Sequence, residues 1–181
     1  MIYMLFEEGY EEVEAIAVVD VLRRAKIDVK MIGMKSIWVR SSHGIKIEMD
    51  EEYRELNQFE DAEMIILPGG QPGTQNLSLN ADVSKILKFA AKKNLYLSAI
   101  CAAPTVFDKL GIIENTKITC YPSYASDIQT AIVTNEAVVV DGKIITGRGV
   151  GVAIEFGLKI VEVLKGKSES EKIKAAMVLP L

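Results

Sequence analysis

Three runs, Ile2–Phe6, Met64–Leu67 and Leu95–Ile100, are apolar at nearly every position instead of at every second one. A strand that alternates can leave one face in water, whereas a strand apolar on both sides has to be covered on both. Segments of helical periodicity lie between and after these runs: Val13–Ala25, Asp82–Lys93, Ala102–Leu110 and Val152–Lys165. Strand, helix, strand, helix in that order predicts a doubly wound α/β fold, a mostly parallel sheet with helices on both faces. Asp28–Gly33 reads as a further strand. Ile37–Val39 and Ile45–Met49 flank Ser41-Ser42-His43-Gly44 as a pair of strands around a turn. Val138–Val140 and Lys143–Thr146 flank Asp141-Gly142 as a hairpin. Ser170–Met177 reads as one more helix. With 181 residues and no repeat or Gly/Ser/Pro-rich linker, a single domain is expected.

Composition narrows the partners. Lys plus Arg total 21 against 25 Asp plus Glu, which gives no electrostatic reason to expect nucleic acid or an anionic membrane surface. The two cysteines, Cys101 and Cys120, are too few for a disulfide framework, and the one histidine, His43, leaves no zinc-ligand spacing. The apolar run after Met1 is too short for a signal-peptide core and lacks a basic flank. No stretch approaches the roughly 18 apolar residues of a membrane span. A cytoplasmic protein with no metal and no cofactor is the expectation.

In open α/β sheets, sites lie beyond the carboxyl ends of the strands. Leu95–Ile100 runs straight into Cys101-Ala102-Ala103-Pro104-Thr105, the layout of a nucleophile elbow, in which small neighbours allow a sharp turn under the sulfur. The helix that follows is expected to lower the thiol pKa. The commoner role of a free cysteine is a buried structural one. Met64–Leu67 stops at Pro68-Gly69-Gly70, either a turn needing positive φ or a place where a backbone N–H joins that of Ala102 to hold an oxyanion. After Ile2–Phe6 come Glu7, Glu8, Glu11, Glu12 and Glu14. Glu14 has Ala17, Val18 and Val21 on its helical face, so it points inward as a candidate acid or base. Glu12, beside Ile16 and Val19, is only weakly distinguished from it. Cys120 has no charged neighbour in sequence and reads as structural. Arg148, between two glycines, reads as holding a loop, and Asp127 lacks a histidine to orient.

Taken together, EEVE at 11–14, LPGG at 67–70, QNL at 75–77, AICAAPT at 99–105, and GRGVG with AIEFGLKIVE at 147–162 resemble the DJ-1/ThiJ/PfpI superfamily along essentially the whole chain. KIKAAMVLPL at 172–181 is similar to the extra C-terminal helix of its Parkinson-associated branch, which makes about 167–181 a helical extension. The resemblance implies a flavodoxin-like sandwich and a homodimer. It also implies that Cys101 is the reactive cysteine, that Glu14 is the buried glutamate bonded to it, and that Gly70 and Ala102 supply the amides of a small anion pocket. Two positions depart from the pattern. Tyr121 stands where a histidine is common, and His43 stands where an arginine lies near the partner subunit's site.

Peptidase-like relatives place histidine directly after the cysteine, where this chain has Ala102. Amidotransferases of similar fold use a histidine well downstream, and none follows residue 43. A cysteine peptidase or amidase is therefore disfavoured. The resemblance leaves two readings. One is a cofactor-free, glyoxalase- or deglycase-like enzyme that converts small reactive carbonyls such as methylglyoxal to hydroxy acids. The other is a redox sensor, oxidised at Cys101, with a stress-response or chaperone role.

Overall fold

The computed structural model describes residues 1–179. In chain order its elements are β1 (Ile2–Phe6), α1 (Glu12–Arg24), β2 (Val29–Gly33), β3 (Trp38–Arg40), β4 (Lys46–Glu48), β5 (Glu51–Glu52), β6 (Met64–Leu67), α2 (Gly73–Leu79) and α3 (Ala81–Lys92). There follow β7 (Tyr96–Ile100), α4 (Pro104–Lys109), β8 (Lys117–Ile118), β9 (Ile132–Val133), β10 (Val138–Asp141), β11 (Ile144–Gly147), α5 (Ala153–Lys165) and α6 (Lys167–Ala176). Seven strands form one sheet in the order β10-β11-β7-β6-β1-β2-β5. Only β10 runs antiparallel, paired with β11 through the hairpin at Asp141-Gly142.

The unbroken apolar runs are explained by the two layers they separate. Ile2, Met4 and Phe6 of β1 and Met64 and Ile66 of β6 face the cluster built on α1, α5 and α6. Tyr3, Leu5, Ile65 and Leu67 face the opposite cluster, with Leu77, Val83, Ile86, Leu87 and Phe107 from α2, α3 and α4. Period-two alternation thus divides β1 and β6 between two cores, as the central strands of a doubly wound sheet require.

Local chemistry sets the helix ends. Asn80 accepts from the amide of Asp82 at 2.9 Å and starts α3. The side chain of Glu11 caps α1, whose Glu12 and Glu14 lie in its first turn and whose Arg23 and Arg24 lie in its last, matching the helix dipole. Helix α5 lies on α1 where Gly157 meets Val21, whose Cβ would stand 3.1 Å from any Cβ at 157.

The expected pair of strands around His43 is β3 with β4, antiparallel, with Val39 opposite Ile47, and it stands as a separate two-stranded sheet. Three elements had no sequence signal: helix α2 and the two-residue strands β5 and β9. The helix expected from Ala102 begins at Pro104, because Ala102 and Ala103 form the turn out of β7. The last helix runs from Lys167 to Ala176, while Pro180 and Leu181 lie outside the described residues.

Because β1 pairs with β2 on one side and β6 on the other, the chain reverses its winding there. The carboxyl ends of β1, β6, β7 and β11 therefore open into one crevice.

Candidate active site

Cys101 is the first residue after β7 and adopts φ +64°, the left-handed region that non-glycine residues rarely occupy. The conformation is pinned on both sides. Its N–H donates to the carbonyl of Gly147 at 2.9 Å, and its carbonyl accepts from the amide of Tyr121 at 2.8 Å. The half-buried sulfur faces the backbone amides of Ala102 and Gly70.

Glu14 arrives from the first turn of α1 with only 1% of its surface exposed. Its Oε2 accepts from the amide of Gly69 at 3.0 Å, and the carboxyl is hydrogen-bonded to the Cys101 thiol. Helical periodicity thus selects Glu14, with Val13 exposed and Glu12 only partly covered. Each glycine after β6 has a specific reason. A Cβ on Gly69 would overlap Glu14 Oε2 and stand 2.6 Å from Cys101 Cβ. Gly70, at φ +90°, lies against the backbone of Gly9, Tyr10 and Glu11.

Burial pushes Glu14 up to about 7, with the hydrogen bond to Cys101 pulling the other way. Burial, then the charge and hydrogen bond of Glu14, push the Cys101 thiol up to about 12. This corrects the expectation that the following helix lowers the thiol pKa. The amides of Ala102 and Gly70 do favour thiolate, but desolvation and the neighbouring carboxylate outweigh them. The pair can hold one negative charge comfortably and not two. A proton passed from Cys101 to Glu14 leaves a thiolate facing two N–H groups and a neutral carboxyl.

His43 lies at the β3–β4 turn with 70% of its side chain exposed. Its Nδ1 stands 3.1 Å from Glu12 Oε1 and 3.4 Å from Glu11 Oε2 of its own chain, and the hydrogen bond to Glu12 raises its pKa. Among the described residues these three side chains are the one converging group of metal-ligand type. The hydrogen bonds between them account for the convergence without an ion.

Tyr121 is half-exposed, and its ring lies over Gly149. Cys120 is buried, and burial raises its thiol pKa. The charge of Asp127, seven residues further along the chain, adds to that shift. Arg148 holds its loop, its N–H bonded to Ala137 O at 2.9 Å and its guanidinium 3.4 Å from Asn135 O. Sequence reasoning missed Gln71 and Tyr124, whose Nε2 and hydroxyl meet at 3.0 Å beside the site. Fifty-three positions separate them, and no local pattern signals the contact.

A cysteine elbow over a parallel sheet, facing a buried glutamate and two amides, defines a class of α/β proteins. The model of the DJ-1/PfpI family matches residues 1–163, and the chain belongs to that family. It is 33% identical to protein dj-1beta of Drosophila melanogaster over 179 residues, which cover 97% of this chain and 95% of that one. It is 31% identical to the glutathione-independent glyoxalase DJR-1.2 of Caenorhabditis elegans over 178 residues, covering 97% and 94%. Protein DJ-1 homolog B of Arabidopsis thaliana is 34% identical over 176 residues, 95% of this chain but 40% of that longer one. Among solved structures, Drosophila DJ-1beta superposes with a TM-score of 0.92 at 32% identity, covering 99% and 98% of the two chains. Oxidised Toxoplasma gondii DJ-1 superposes at 0.91 and 29%, also covering 99% and 98%. No helix among the described residues is long and apolar enough to cross a membrane.

Proposed function

We propose that the protein is a cofactor-free enzyme that converts 2-oxoaldehydes such as methylglyoxal to 2-hydroxy acids, with Cys101 as nucleophile and Glu14 as proton carrier. The observation that carries this reading is the Glu14 carboxyl, raised to about 7 and hydrogen-bonded to the Cys101 sulfur. A general acid–base needs a pKa near the working pH, and a thiol raised by burial needs a base beside it. The glutathione-independent glyoxalase among the relatives supports the same chemistry, carried out without a thiol cofactor.

Glu14 takes the Cys101 proton. The sulfur lone pair forms a bond to the aldehyde carbon, whose π pair moves to oxygen between the Gly70 and Ala102 amides, and Glu14 returns the proton to that oxygen. The hemithioacetal then isomerises. Glu14, again a carboxylate, removes the hydrogen of the sulfur-bearing carbon, and the electron pair passes into the neighbouring carbonyl. Glu14 returns that proton to the neighbouring carbon, and the hydroxyl proton on the sulfur-bearing carbon passes to the neighbouring oxygen, which gives a 2-hydroxy thioester. One carbon is oxidised and its neighbour reduced, so no external redox partner is needed. Water cleaves the thioester, releasing the hydroxy acid and restoring the thiol. The test is lactate formation from methylglyoxal without added thiol. Activity retained in Cys101→Ala would refute the mechanism.

A second reading has its own support in the oxidised Toxoplasma relative. In it, peroxide oxidises the Cys101 thiolate to sulfinate, the amides of Gly70 and Ala102 receive the new oxygens, and neutral Glu14 donates to one of them. A two-oxygen mass increase confined to the Cys101 peptide would favour this role, and its absence would count against it.

We also infer a cytoplasmic homodimer. Val13, Ile16, Ala17, Ile45 and Ile47 form an apolar face bordered by Glu12, on which Val13 and Ile45 are about half exposed. A second copy would cover it and bring His43 toward the neighbouring site.

A further inference from the structure

Cys101 lies between two flanking loops, one after β6 and one after β11, and a single segment ties to both. Tyr121 caps a short 3-10 helix, Pro122–Asp127, and its amide is bonded to the Cys101 carbonyl. From that central anchor its ring extends to Gly149 on the β11 side, while the Tyr124 hydroxyl accepts from Gln71 Nε2 on the β6 side at 3.0 Å. The two rings meet edge to face at 6.4 Å between centroids. Residues 121–124 are therefore a strap across the elbow, faced with two aromatic rings and pinned at three points.

Beside Tyr121 the surface opens into a shallow pocket of about 280 Å³, walled by Pro122, Gly149, Val150 and Val152. Arg148 borders it, with its guanidinium turned to Asn135 O. Tyr121 joins this pocket to the elbow, its amide bonded to the Cys101 carbonyl and its ring forming an aromatic wall beside the aliphatic one. A methyl group would cover little of it, whereas a flat phenyl ring can lie against Tyr121 and gain an aromatic contact as well as apolar burial.

We infer that Tyr121 and Tyr124 determine specificity and that the preferred substrates are 2-oxoaldehydes with an aromatic or similarly bulky apolar substituent. This rests on the carbonyl-enzyme reading above and adds a substrate class to it. Gln71 acts as a positioning residue, holding Tyr124 through its amide.

The experiment has two arms. In the first, initial rates with phenylglyoxal and methylglyoxal are measured for the wild type, Tyr121→Ala, Tyr124→Ala and Gln71→Ala. The wild type is expected to favour phenylglyoxal at least tenfold in kcat/KM. Tyr121→Ala and Tyr124→Ala should erase that ratio, chiefly through KM for phenylglyoxal, and Gln71→Ala should have an intermediate effect. The second arm needs no turnover. Mandelate and lactate, the corresponding products, are compared for protection of Cys101 from iodoacetamide, and mandelate is expected to protect at a tenfold lower concentration. Equal protection by the two acids, or parallel losses on both substrates, would overturn the strap assignment. Selective protection by mandelate with no turnover of either aldehyde would instead refute the enzyme reading and leave the aryl-selective strap standing.

Discussion

The carboxyl of Glu14 bridges two neighbours at the bottom of the crevice, accepting from the Gly69 amide at 3.0 Å and hydrogen-bonded to the Cys101 sulfur. Its pKa lies at about 7 instead of 4.5, chiefly because of burial. The folded protein therefore holds a proton between those values that the unfolded chain releases, and stability falls as pH rises through that window. The full penalty, present above pH 7, is of order 3 kcal/mol. We predict that Glu14→Gln, which keeps an oxygen for the Gly69 amide, stabilises the protein by up to about 3 kcal/mol at pH 8 and by almost nothing at pH 4. Thermal melts across that range check the sign. The same variant should lose turnover on 2-oxoaldehydes while Cys101 remains alkylatable. Undiminished turnover would remove Glu14 from the mechanism.

Alkylation should report the shared proton. The pair loses its first proton near pH 7, so the iodoacetamide rate at Cys101 should rise through that pH and then level while the single charge is shared. In Glu14→Gln this inflection should vanish. The thiol should then titrate as one group below its wild-type value of about 12, since the charge and hydrogen bond of Glu14 no longer raise it. Peptide mapping should place the early label on Cys101, because Cys120 is only 3% exposed and no carboxyl is hydrogen-bonded to its sulfur. Faster labelling at Cys120 would contradict the elbow assignment.

Gly69 tests how tightly the site is packed. One methyl group there would collide with Glu14 Oε2 and Cys101 Cβ together, so no small rotation of either side chain relieves it. Gly69→Ala should destabilise the fold by about 1–3 kcal/mol and reduce turnover at least a hundredfold, as read by urea unfolding and by kcat/KM. A fully active Gly69→Ala would mean that the Glu14–Cys101 contact is not needed for catalysis.

The parts of this architecture legible in the sequence are those whose signal is local. Ile2–Phe6 and Met64–Leu67 are strands with the expected bounds, because a strand buried on both faces leaves an unbroken apolar run. The sharp turn at Cys101 was visible in the small residues after it. Helix α2 was not, since GTQNLSL offers only Leu77 and Thr74 to the interior among its larger residues and starts from a glycine. Strand β5 is two glutamates that pair with Ile32 and Gly33, and acidic residues at a sheet edge look like loop. The direction of the Cys101 pKa is hidden from the sequence for a related reason. The helix after it can be seen in sequence, but the burial that outweighs it depends on α1 and the β6 loop closing over the sulfur. The Gln71–Tyr124 contact likewise exists only once strand order places two distant loops side by side.

His43 stands between its own chain's acids and the neighbouring subunit of the inferred homodimer. Its Nδ1 already faces Glu12 and Glu11 of its own chain, and this hydrogen-bonded contact raises its pKa. The backbone of Glu11 in turn lies against Gly70, so the histidine is linked to the site within one chain. A homodimer built on the Val13–Ile45 face would also carry it toward the neighbouring Cys101, where an imidazole can exchange a proton near neutral pH. A mixed dimer of Cys101→Ala and His43→Ala chains separates the two routes. If His43 serves the partner subunit, one of the two sites lacks both groups and the other keeps both. The mixed dimer should then recover about half the wild-type activity while both parent dimers are poor. If His43 serves only its own chain, the chain that keeps Cys101 lacks its histidine, and mixing restores nothing. We predict recovery. A monomer in solution, or a fully active His43→Ala homodimer, would assign the histidine to the turn and its two glutamates alone.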